Sequence, residues 1–160
     1  MRPRILAILF LPSVMASEGW AKDLRWTTHE EAGFTCVLDY PAGLFSQQAV
    51  PPGKPRLFAS ADGEVYFRIQ GMENAEGWTP LTIREKYLSA NIPGDLTYDR
   101  TRSDFVVLSG LRGSNIFYTK VSVSSDRSSA CVLEITYPSG QKKAFDRIVT
   151  RMSRSLRFLN

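Results

Sequence analysis

Histidine is almost missing from this chain: His29 is the only one, and cysteine occurs only at Cys36 and Cys131. A zinc or other transition-metal site needs several such ligands at short spacing, and no Cys-x-x-Cys or His-x-x-x-His is present. No metal site and no cofactor are therefore expected. A Ser-His-Asp triad would have to recruit His29 from a polar stretch, between Thr28 and Glu30-Glu31. There is no Gly-x-Ser-x-Gly, and Gly110 and Gly113 form no phosphate-cradling pattern. Positive charge is modest as well. A formal net charge of +4 over 160 residues falls short of a nucleic-acid footprint. Long apolar runs are also wanting. The longest candidate, Ile5–Ala16, would reach roughly 18 Å as a helix, against a hydrocarbon core of about 30 Å, so no transmembrane anchor is expected.

What that N-terminal stretch does offer is a sorting signal. Arg2 and Arg4 precede the apolar Ile5–Leu11, Pro12 interrupts it, and small-x-small sites follow at Val14-Met15-Ala16 and Gly19-Trp20-Ala21. The second site is favoured, because Lys22-Asp23 then opens a polar mature chain. Residues 1–21 are read as a signal peptide, 22–33 as a polar lead-in and 34–160 as one domain, large enough to bury a core unaided. Cleavage removes Arg2, Arg4 and Glu18 and takes the net charge from +4 to +3. The expected destination is the periplasm or the extracellular space. In such an oxidising compartment the even cysteine count suggests a Cys36–Cys131 bridge; two buried thiols in separate strands are the alternative.

The mature chain reads as strands with two helices. Phe34–Tyr40 alternates, with Phe34, Cys36, Leu38 and Tyr40 on one face, and Gln47–Pro55 is a loop by composition. Arg56–Ser60 and Glu64–Gln70 form a hairpin around Asp62-Gly63; pairing Ala61 with Glu64 aligns Phe58, Val65, Phe67 and Ile69. Thr79-Pro80 supplies an N-cap and a first-turn proline for a helix reaching about Ala90. Leu96–Arg102 is a weaker strand. Phe105–Leu111 and Asn115–Ser124 make a second hairpin that brings Val106, Leu108, Phe117, Val121 and Val123 to one face. Cys131–Tyr137 is the last long strand. Pro138 ends it, and Ser139-Gly140 can cap and turn into a helix whose stripe is Phe145, Ile148, Val149, Met152 and Leu156. Without βαβ alternation this predicts an α+β fold: an antiparallel sheet of about six to seven strands flanked by helices.

Several of these residues carry a resemblance. Asp39-Tyr40-Pro41 follows the first strand, Leu108-Ser109-Gly110 lies in a central strand with Tyr118 in the next, and Tyr137-Pro138 precedes the final helix. Phe145-Asp-Arg-Ile148-Val149 through Ser153-Arg-Ser155-Leu156 completes the set. It is similar to the PsbP-type α/β/α sandwich superfamily, whose members include photosystem accessory subunits, Ran-binding nuclear proteins and many exported bacterial proteins without assigned roles. The likeness spans roughly Phe34–Phe158 and implies the fold, with no catalytic or metal residues to carry over.

For function, the strongest feature outside the core is the basic side of the last helix: Lys143, Arg147, Arg151 and Arg154. It suits a docking face for an anionic protein, lipid or polyanion. A solvated face whose arginines suit the helix C-terminal dipole is the plainer reading. Trp26 and Trp78 are candidate aromatic anchors or partly buried packing residues. Ser139-Gly-Gln-Lys142 matches S-x-x-K, but neither Ser-Asp-Asn nor Lys-Thr-Gly accompanies it. The expectation is an exported, non-catalytic binding or accessory protein of the cell envelope. The alternative is a small envelope hydrolase with an unfamiliar carboxylate or serine site.

Overall fold

The structure is a computed structural model that describes residues 24–159, so the expected signal peptide lies outside the described residues. Its first organising unit is the hairpin of β4 (Arg56–Ala59) and β5 (Tyr66–Glu73). Phe58 faces Phe67 across the pair, the register that the Ala61–Glu64 pairing predicts. The connection is longer than a two-residue turn. Ser60 N donates to Val65 O at 2.9 Å, Gly63 N donates to Ser60 O at 2.9 Å, and Gly63 takes a φ of +72°, which glycine adopts without strain.

The second hairpin joins β7 (Phe105–Arg112) to β8 (Asn115–Val123), with Arg112 opposite Asn115 and Val106 opposite Val121. β6 (Asp95–Thr101) pairs with β7 and forms one edge, with a register irregularity between Leu96 and Tyr98. β3 (Ser46–Gln48) forms the other edge, taking its last two residues from the segment expected to be loop. Between the two groups lies β9 (Ser129–Pro138), bonded to β5 on one side and β8 on the other. The seven-stranded antiparallel order is β3-β4-β5-β9-β8-β7-β6.

A separate three-stranded sheet departs from the expectation. β1 (Trp26–Glu31) is drawn from the stretch read as a polar lead-in, and it pairs along its whole length with β2 (Cys36–Pro41). Its composition gives no clean apolar alternation, yet β2 is well buried and its outer edge supplies the partners that the β1 backbone needs. β10 (Arg157–Phe158) closes the opposite edge of β2. Phe34 precedes β2 rather than sitting in it. It packs against Gly71, where an added Cβ would come within 2.4 Å of the Phe34 ring.

One face of the large sheet meets this small sheet and α2 (Lys142–Ser155). Phe145, Val149, Met152 and Leu156 are buried and Ile148 is half-buried, so the helical stripe reads through as predicted. The start of α2 differs. Ser139 opens a 3-10 turn (Ser139–Gln141) and its N–H donates to Ser114 O at 2.8 Å; the N-cap of α2 is Gln141, with no side-chain capping bond. Cys36 of β2 is bonded to Cys131 of β9, with Cα atoms 6.2 Å apart, and pins the small sheet to the large one.

The other face carries α1 (Pro80–Ile83), continued by a π-helical turn (Arg84–Leu88) and a 3-10 turn (Ser89–Asn91). Thr79 is the N-cap, its hydroxyl accepting from Thr82 N at 3.2 Å. Ile83 and Leu88 pack on Val106, Leu108, Val121 and Val123 to form a second apolar cluster.

Candidate functional site

The last helix is seated by polar contacts as well as by its apolar stripe. Tyr118 and Ser153 hydroxyls lie 2.6 Å apart, Asp39 N donates to Ser155 Oγ at 2.9 Å, and the Tyr137 ring stacks on Phe145 with centroids 5.5 Å apart. Asp39, Tyr118 and Tyr137 are among the residues that carry the sequence resemblance. Their work here is to fix α2 on the sheet. Burial pushes the Tyr137 phenol up to about 12, with the charge of Asp146 adding to it.

Lys120 completes that seat. It is only 8 % exposed, its Nζ donates to Ser153 O at 2.7 Å, and it lies 4.9 Å from the centre of the Phe105 ring. Ser153 is in the final turn of α2, where a cation meets the negative end of the helix dipole. Burial nevertheless holds the amine below the usual lysine value of 10.5, opposed in part by the charge of Asp104. A lowered folded-state value means that the unfolded chain binds more protons in the window up to 10.5, so stability rises with pH there. Chemical denaturation of wild type and Lys120→Met at rising pH should show the wild type gaining on the variant as 10.5 is approached. A constant difference across that range would remove Lys120 from the account.

With this seating, Lys143, Arg147, Arg151 and Arg154 emerge on one exposed strip of α2. At 1.5 Å per residue the strip runs for roughly 16 Å. Among the described residues no ion pair engages any of the four; the neighbouring pairs are Lys142–Asp146 at 2.6 Å and Arg157–Asp39 at 3.8 Å. The Arg151 guanidinium lies over the Trp26 ring, 3.9 Å from its centre. In sequence Trp26 and the basic helix lie far apart. Only the pairing of β1 with β2, and the crossing of α2 over β2, bring the two together.

The remaining candidates fall into structural roles. His29 Nε2 lies 3.0 Å from Glu31 Oε2, and its ring meets Phe58 edge-on at 5.2 Å, so it packs beneath β1 instead of being solvated. Among the described residues no three His, Cys, Asp or Glu side chains are grouped so that they could hold a metal ion. Ser139 is exposed, and Lys142, four residues N-terminal to Asp146 on α2, is tied to that carboxylate. Trp78 packs beside the α1 cluster and carries Lys86 at 5.6 Å from its ring centre. No described helix is long and apolar enough to cross a membrane.

An antiparallel seven-stranded sheet with α2 and a small sheet on one face and α1 on the other is a PsbP-like fold. The chain is similar to cyanobacterial PsbP (CyanoP) from Synechocystis sp. PCC 6803, at TM-score 0.65 and 12 % identity over 91 % of this chain and 99 % of that one. It is similar also to the Ran-binding protein Mog1p of Saccharomyces cerevisiae, at TM-score 0.57 and 8 % identity over 86 % of this chain and 97 % of that one. A protein from Bacteroides thetaiotaomicron VPI-5482 aligns at TM-score 0.50 and 16 % identity, over 83 % of this chain and 48 % of that one. No protein-family model and no curated protein matches the sequence. At these identities the likeness defines the fold alone.

Proposed function

We propose that this protein is an exported, non-catalytic accessory protein of the cell envelope that docks through the exposed side of α2 onto an acidic protein. The observation that carries the reading is the strip of Lys143, Arg147, Arg151 and Arg154 without carboxylate partners among the described residues, with Trp26 beneath Arg151. Arginine and tryptophan are the side chains most enriched at interface hot spots. A flat cationic strip also steers an anionic partner and sets its register. Export is supported by the basic, apolar and small-residue order of 2–21 and by the Cys36–Cys131 bond. A protein partner is favoured over lipid because one of the structurally similar proteins is named for binding a protein.

The triple substitution Lys143→Glu/Arg147→Glu/Arg154→Glu tests this, since all three side chains are exposed and the fold should persist. Crosslinked capture from the exported fraction at low salt should recover a partner with wild type, and recovery should fall at least about tenfold with the variant. Wild-type capture should weaken as salt shortens the Debye length below about 8 Å. Undiminished capture by the variant would overturn the reading, as would binding to phosphatidylglycerol vesicles with no protein captured.

A further inference from the structure

The face of the large sheet opposite α2 is only partly covered by α1, and its side chains change character along the strands. β5, β9 and β8 present their side chains there in cross-strand rows: Gln70, Val132 and Val121, then Arg68, Glu134 and Thr119, then Tyr66, Thr136 and Phe117. Successive rows are roughly 7 Å apart. The middle row is the polar one, one step from the two valines, and the buried Phe117 and Thr136 floor the third.

Two cavities follow these rows, and Tyr87 of the π-helical turn lines both. The apolar one has a volume of about 230 Å³ and is walled by Met72, Trp78, Ile83, Val121 and Val132, with Glu73 and Glu76 also in its lining. The polar one, about 300 Å³, is lined by Tyr66, Arg68, Arg112, Thr119, Glu134 and Thr136. Tyr87 is 51 % exposed and Met72 37 %, so apolar surface stands open at the junction and the rim. The π-helical turn is an interruption of a kind that recurs at functional sites.

The polar end has cationic capacity to spare. Arg112 Nη2 donates to Tyr66 Oη at 3.3 Å, and the Arg68 guanidinium sits 5.6 Å from the centre of the same ring. Arg68 meets Glu134 only at 4.0 Å with both side chains half exposed, a pair too loose to use its donors fully. Within the polar cavity two arginines against one glutamate leave a single net positive charge, while Glu73 and Glu76 in the lining of the apolar cavity repel an anionic head from that end. That balance matches a monoanion better than a dianionic phosphate.

We propose that this groove binds a small amphipathic carboxylate, its apolar body on Trp78 and Val132 and its head on Arg68 and Arg112. Guanidinium forks match carboxylate geometry, and a charge-assisted contact is about twice as strong as a neutral one. Glu134 competes for Arg68 in the empty groove and is displaced from it when the head arrives. The site lies on the sheet face opposite α2, so it stands or falls independently of the docking strip.

Calorimetric titration of the full mature chain with sodium decanoate, kept below its micellar range, is the test. Saturable binding of one decanoate per chain is expected, with decanol at least about tenfold weaker for want of the charge and acetate silent for want of the body. Arg68→Gln/Arg112→Gln should weaken decanoate about tenfold and leave decanol unchanged. Glu134→Gln should tighten decanoate several-fold, a gain that loss of folding cannot mimic. Arg147→Glu, on the other face, should change nothing. The proposal is overturned by equal affinity for decanoate and decanol, by tighter binding of decyl phosphate, or by no saturable decanoate binding. Unchanged decanoate affinity in a natively folded Arg68→Gln/Arg112→Gln protein would overturn it as well.

Discussion

Breaking the Cys36–Cys131 bond should lower the unfolding free energy by roughly 4–5 kcal/mol, the loop-closure entropy expected for a long loop. The two cysteines are 95 positions apart, so the bond restrains more than half of the 160-residue chain when it is unfolded. Both residues are fully buried, one in β2 and one in β9. The effect is global because the bond is the one covalent cross-link that the backbone itself does not supply between the two sheets. Thermal unfolding of the Cys36→Ala/Cys131→Ala protein should show a melting temperature lower by on the order of 10–20 °C. The same drop should appear in wild type under a thiol reductant and should be absent when the variant is so treated. A drop of less than about 3 °C would mean that packing between the sheets, not the bond, holds them together.

Phe67→Ala should cost roughly 3–5 kcal/mol, the usual range for a fully buried phenylalanine. Phe67 lies at the crossing of every layer on its side of the sheet. It stacks on Phe58 with centroids 4.6 Å apart and planes within 4°, meets Phe45 edge-on at 5.0 Å, and touches Tyr40 of β2 at 5.6 Å. Truncation removes the contacts of three aromatic rings at once, and a site with so rigid a lining relaxes only partly into the cavity. Urea titration should show a lower midpoint with little change in slope. Leu81→Ala, which alters a side chain 53 % exposed on α1, should stay within about 0.5 kcal/mol of wild type and serves as the matched control. Domains of this kind are stabilised by about 5–15 kcal/mol, so Phe67→Ala together with loss of the Cys36–Cys131 bond, about 7–10 kcal/mol in all, would remove about half of that stability or more.

The parts of the fold that were legible in the sequence are those where two local signals agreed. In the β4–β5 hairpin, Asp62-Gly63 and the alternation of Phe58, Val65, Phe67 and Ile69 pointed to one register. The structure shows it, with a longer turn. Thr79-Pro80 named the start of α1 in the same way, because a capping hydroxyl and a preset φ act within one turn. The stripe from Phe145 to Leu156 needed only helical period. Features set by distant partners stayed hidden. β1 is a strand because β2 offers it an edge, and nothing within Trp26–Glu31 announces this. Ser139 had the chemistry of a cap, but its N–H was claimed by Ser114, far away in sequence.

The candidate sites divide along the same line. The basic strip of α2 could be read directly, since residues three or four apart share a helix face. That Trp26 lies under Arg151 could not. The groove on the other face was beyond reach of the sequence for a stronger reason. Its rows take one residue from each of β5, β8 and β9, and a shift of register by one would turn every one of those side chains to the opposite face.

The position of β9 also dictates how a growing chain could acquire its structure. β3–β5 and β6–β8 are each simple local meanders, but they touch through a strand made after both. Until residues 129–138 exist, no strand pairing joins the two meanders, and Cys36 has no partner. Long-range pairing of this sort comes late and slowly. The strand at 129–138 is thus the keystone of the seven-stranded sheet. Without it the two meanders are left as separate three-stranded pieces, each with an unpaired edge.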